Sequence, residues 1–144
     1  MKKLSALIGL SLILALGGCV SGGSGAYKGS GGMAAHSIKP EVYAYHYDHG
    51  FTGPDAMGWD PNLQYAWSRT GAARVCGAPA KEEVIIKNLK AAYGQDDFVH
   101  KLNGVDFHYA QVRNIGTSFC TPERVEEMKA AIAQFEASAF PKKY

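Results

Sequence analysis

Two histidines of the chain fall in a short pattern with a carboxylate between them: His46, Asp48 and His49. An H-x-x-H pair can present two imidazoles on one turn of a helix, and an adjacent Asp can complete or orient such a pair for a metal ion. A third ligand would have to come from His100 or His108, brought in by the fold. The same four groups (His46, Asp48, His100 and His108) are the ones an enzyme would need to gather in one cleft. The residues around His46 read as strand and loop, which does not favour shared-face geometry. Surface histidines lying among tyrosines are the plainer reading, and no metal is assigned here.

More specific catalytic signatures are missing from the sequence. There is no G-x-S-x-G, no H-E-x-x-H and no C-x-x-C. Asp96-Asp97 and Glu82-Glu83 are adjacent pairs, so their side chains diverge and suit helix starts better than acid–base chemistry. The glycines of residues 20–32 do not make a phosphate loop, because no Gly-Lys-Ser/Thr follows them. The reading is a protein that is not an enzyme, with no cofactor.

The same neighbourhood carries a second kind of chemistry. Residues 41–59 hold Tyr43, Tyr45, Tyr47, Phe51 and Trp59. Aromatic side chains supply large contact area at low entropic cost, so the segment is the expected partner-binding surface. The competing reading is a strap whose rings pack on helices behind it.

The elements that must position these residues follow from pattern. Tyr43, Tyr45 and Tyr47 alternate with Val42, Ala44 and His46, the period of a short strand. Gly50, Gly53-Pro54 and Gly58 then mark an irregular loop. From Asp60 a helix is expected, with Asp60 as N-cap, Pro61 at the first helical position and Gly77 as the left-handed stop. Gly71 weakens it. A second helix opens at Pro79, buries Ile85, Ile86 and Leu89, and ends at Gly94. Residues 96–103 fit a short helix with Phe98, Val99 and Leu102 inward and Asn103-Gly104 as its stop. Residues 105–112 fit either type: Val105, Phe107 and Tyr109 alternate, while Val105, Tyr109 and Val112 keep helical spacing. The strand is favoured because it could pair with residues 42–47 and a lone strand would leave its backbone unpaired. The last helix has Thr121 as cap, Pro122 at its first position, acidic Glu123 and Glu126 at its start, and Val125, Met128, Ile132 and Phe135 on one face. The expected fold class is mainly α, three to four short helices, with room for a small two-stranded β element.

The N-terminus bears on address. Lys2 and Lys3 precede an apolar run, Leu4 to Leu16, too short to span a bilayer, where about 20 apolar residues are needed. Leu16-Gly17-Gly18-Cys19 follows. This arrangement resembles the signal and lipobox of bacterial lipoproteins, and the resemblance covers residues 1–19 only. It implies cleavage before Cys19 and acylation of Cys19, hence attachment to a membrane by lipid; several acyl chains make such anchoring stable. In that family an Asp after the Cys favours inner-membrane retention. Val20 and Ser21 stand here, so the resemblance implies the outer membrane, facing the periplasm.

Three segments follow: a signal at 1–18, a lipidated Cys and Gly/Ser-rich flexible tether at 19–40 spanning about 25 Å, and a single globular domain at 41–144. The 144-residue chain has 15 basic and 13 acidic residues. The signal holds two of the basic ones, so the remainder is balanced and no basic tract argues for nucleic acid. In an oxidising compartment the two remaining cysteines, Cys76 and Cys120, are read as a disulfide pinning the domain. The functional expectation is a lipid-anchored accessory module for an envelope protein; the alternative is a small-ligand or metal-binding lipoprotein using the His46/Asp48/His49 region.

Overall fold

The computed structural model describes residues 26–144. The signal and lipobox, including Cys19, lie outside the described residues. Five α-helices follow one another: α1 (Pro40–His49), α2 (Pro61–Cys76), α3 (Glu82–Tyr93), α4 (Phe107–Ile115) and α5 (Pro122–Glu136). A π-helical segment, Val99–Asp106, runs straight into α4, and short 3-10 turns occupy Gly53–Ala56 and Thr117–Phe119. Among the described residues there is no strand, and no helix is long and apolar enough to cross a membrane.

The fold is organised on α2. Its Asp60 carboxylate accepts from Asn62 N at 2.7 Å and Leu63 N at 3.1 Å, Pro61 takes the first helical position, and Gly77 closes it at φ 66°. Every residue from Asn62 to Ala73 is buried, the pattern of a helix enclosed by its neighbours. It packs on α4, α5 and the π segment. Two glycines permit this. A Cβ on Gly71 would meet the backbone N of Tyr109 and O of Val105 at 2.6 Å, and one on Gly104 would enter the Trp67 ring. Gly71, expected to weaken α2, is instead where α4 touches it.

The small β element is therefore corrected. Residues 42–47 lie within α1, because Pro40 suits a helix start and Tyr43 and Tyr47, four apart, share its buried face while Tyr45 does not. Residues 105–112 are also helical: Val105, His108 and Val112 are fully buried at spacings of three and four. The segment at 96–103 begins as expected, with Val99 N and His100 N donating to Asp96 O. It does not stop at Asn103-Gly104, since Gly104 is a packing site against Trp67 and the chain continues into α4. α3 begins at Glu82, three residues after Pro79, and Gly94 ends it.

α5 matches its expected start. Arg124 N donates to Thr121 Oγ1 at 3.3 Å, and Met128, Ala131, Ile132 and Phe135 enter the core. Cys76, the last residue of α2, is bonded to Cys120, two residues before α5. The domain is thus a single disulfide-pinned helical unit.

The tether boundary also moves. Residues 26–39 lack regular secondary structure yet pack on the domain. Met33 is fully buried, and the Asp55 carboxylate accepts from Gly31 N at 2.9 Å and Met33 N at 3.2 Å. Gly29 (φ 80°) lies so close to the Tyr45 ring that a side chain there would collide with it. Glycines here supply close approach and turning as well as flexibility.

Candidate functional site

Most large apolar side chains of this domain are inside it. Phe98 is 67 % exposed, Leu102 44 % and Val84 40 %. Phe98 immediately precedes the π segment and Leu102 lies within it. The segment directs His100, Gly104 and Val105 into the core, so Phe98 and Leu102 point outward, opposite to the inward placement expected from pattern. π-Helical turns recur at functional sites. Between α3 and this segment lies a hollow of about 370 Å³, with Ile86 and Phe98 as its apolar lining and Glu83, Lys87, Asp97 and Lys101 as its charged margin. Asp97 pairs with Lys90 of α3 at 3.2 Å, both largely exposed, an interaction that contributes little to stability. Covering an exposed ring of this size yields about 1.5–3 kcal/mol, and aromatic anchors set in a charged margin are the usual make-up of a docking patch.

The aromatic segment expected to dock a partner is placed differently. Tyr43, Tyr47 and Phe51 are fully buried and belong to the core. Tyr45 and Trp59 are half-buried, Tyr45 stacked on His49 at 4.2 Å and Trp59 edge-on to Trp67 at 5.2 Å. These five residues do not make an open surface; the strap reading describes them, because α1 turns Tyr43 and Tyr47 inward together.

The histidines are likewise spread out. His46 is buried, with Nδ1 3.0 Å from Gly50 O and Nε2 2.6 Å from the Tyr27 hydroxyl and 3.4 Å from Asp55. Asp48 makes a two-point ion pair with Arg124 at 2.7 and 2.9 Å. His49 is exposed and bonds its own helix at Tyr45 O. His46, Asp48 and His49 thus turn to three different partners, and among the described residues no three His, Cys, Asp or Glu side chains are grouped to hold a metal.

His100 and His108 are core residues, each held at both ring nitrogens. Trp67 Nε1 donates to His100 Nδ1 at 3.2 Å, and His100 Nε2 meets Gly94 O at 2.6 Å. Gln64 donates its amide nitrogen to Ala56 O, which aims its carbonyl at His108 Nε2, 2.7 Å away. The Tyr43 hydroxyl then donates to His108 Nδ1 at 2.9 Å. This arrangement fits a neutral imidazole, and burial, aided by Arg69, lowers its pKa to about 3. His46, Asp48, His100 and His108 share no cleft.

Sequence reasoning missed the outward face of Phe98 and Leu102. The available signal was Gly104, which as a helix-packing residue rather than a stop would have fixed the orientation of the segment. No protein-family model, no curated protein and no solved structure matches this chain.

Proposed function

We propose that this chain is a lipid-anchored envelope lipoprotein acting as a non-enzymatic accessory module, which docks an envelope protein through the hollow around Phe98. The observation that carries the reading is the Phe98 ring, 67 % exposed on the wall of that hollow with exposed Leu102 four residues on, where the one other exposed Phe, Tyr or Trp ring among the described residues is Tyr144 at 40 %. The margin holds two acidic and two basic side chains. A protein surface can answer both signs, whereas an anionic membrane surface would favour lysines alone. Attachment rests on Leu16-Gly17-Gly18-Cys19 and its resemblance to the lipobox, with the outer membrane, facing the periplasm, as the location. The Cys76–Cys120 bond fits an oxidising compartment. Lipid attachment would raise the effective concentration of the module beside membrane-bound partners.

The test is crosslinked capture of the lipidated protein from its own envelope. One stoichiometric protein partner is expected, lost in Phe98→Asp with the circular dichroism spectrum unchanged. Capture unaffected by Phe98→Asp removes this face from the reading. Fatty-acid labelling that persists in Cys19→Ser would remove the anchor.

A further inference from the structure

A second surface feature stands apart from the docking hollow. α1, α2, α5 and the C-terminal segment enclose a cleft of about 220 Å³ lined by Tyr47, Arg69, Arg124, Glu127 and Lys143, with Asp48 and Glu123 beside them. Tyr47 is fully buried, and its hydroxyl is the one buried side-chain polar atom without a hydrogen-bond partner among the described residues. Such a group is costly unless something external satisfies it.

The surroundings say what that something is. The Arg69 guanidinium is 4 % exposed and lies 3.8 Å over the centre of the Tyr47 ring. Its Nε binds the Glu127 carboxylate at 3.0 and 3.3 Å, and its Nη1 binds Ser68. Arg124 is held by Asp48, and Lys143 lies 3.5 Å from Glu127. Three cationic side chains therefore face three carboxylates, two of which already hold them. A simple anion would have to take the cations from Asp48 and Glu127, and a simple cation at Glu123 would leave the Tyr47 hydroxyl without its acceptor. A ligand carrying one charge of each sign leaves the balance intact.

We propose that this cleft binds a small zwitterion, the head group of an α-amino acid, whose carboxylate accepts a hydrogen bond from the Tyr47 hydroxyl beside Arg69 while its ammonium meets Glu123 at the rim. Burial holds the Tyr47 phenol well above its ordinary pKa, with Arg69 pulling the other way, so the hydroxyl remains a donor at neutral pH. The ligand completes a hydrogen bond that the fold leaves open, and ion pairs in such partly enclosed settings are screened less than on open surface.

The experiment is calorimetry together with NMR of ring-labelled tyrosine, using free glycine and L-alanine as probes and acetate and methylammonium as their halves. Both amino acids should bind and shift the Tyr47 ring signals, the halves should not, and Tyr47→Phe should weaken binding at least tenfold with its fold intact. Glu123→Gln, at the rim, should weaken it severalfold and serves as the second variant if Tyr47→Phe alters the fold. Acetate binding as well as glycine, equal affinity in both variants, or unmoved ring signals at millimolar probe would each overturn the proposal, the last leaving a solvent molecule as the partner of the hydroxyl.

Discussion

The Tyr43 hydroxyl stands 2.9 Å from Nδ1 of His108 and joins α1 to α4 inside the core. With the hydroxyl donating, Nδ1 of His108 carries no proton, and burial lowers the pKa of the ring to about 3 from an ordinary value of 6.5. The sign follows from linkage: below about pH 6.5 the unfolded chain takes up a proton at this site and the folded one does not. Stability should be complete above that pH and decline toward pH 3, by roughly 1.4 kcal/mol per pH unit from this site. Urea unfolding at a series of pH values measures it, and His108→Gln should flatten the slope. A wild-type profile flat from pH 7 to 4 would count against a buried neutral imidazole.

Gly104 leaves room for Trp67 because a Cβ there would enter the indole ring. Gly104→Ala is expected to destabilise the domain by about 1–3 kcal/mol, the usual cost of overpacking. The urea midpoint should fall and Trp67 fluorescence should change. An unchanged midpoint would mean that the π segment moves aside without strain.

Asp55 fixes the segment before α1 through Gly31 N and Met33 N. Asp55→Ala leaves two amides without their acceptor, and hydrogen bonds to a charged group contribute about 1.5–3 kcal/mol. Amide exchange at Gly31 and Met33 should quicken at least tenfold, with α2 amides unaffected. Equal exchange in variant and wild type would place the hold elsewhere, Met33 being the first alternative.

The Cys76–Cys120 bond spans a sequence separation of 44 residues. Replacing both with Ser should cost about 4 kcal/mol if the effect is loop entropy in the unfolded state. Chemical denaturation of the double Ser variant against wild type measures this, and a loss under 1 kcal/mol would show that the open chain already keeps the two ends near one another.

Local signals in the sequence were readable where one residue decides one element. Asp60-Pro61 and Thr121-Pro122 start helices because a side-chain acceptor and a fixed φ act within a single turn. Gly77 and Gly94 end helices for an equally local reason. The alternating tyrosines failed as a guide because positions 43 and 47 coincide in both periods, and only a neighbour decides between strand and helix. The candidate surfaces were harder to read: Phe98 looks like a core residue until Gly104 is seen against Trp67, and Arg69 looks like an ordinary helix-surface arginine.

The sequence by itself determined the mainly helical class and the starts of α2 and α5, since each depends on local geometry, and it offered Cys76 with Cys120 once the lipobox resemblance set Cys19 aside. The tertiary structure alone decided which side chains meet. It placed Tyr43 and Tyr47 inside, separated His46, Asp48 and His49, left Phe98 outside, and brought Tyr47, Arg69, Arg124, Glu127 and Lys143 around one cleft. Those contacts join residues distant in sequence, and they depend on how closely α4 and the π segment approach α2, a distance set by the missing side chains of Gly71 and Gly104.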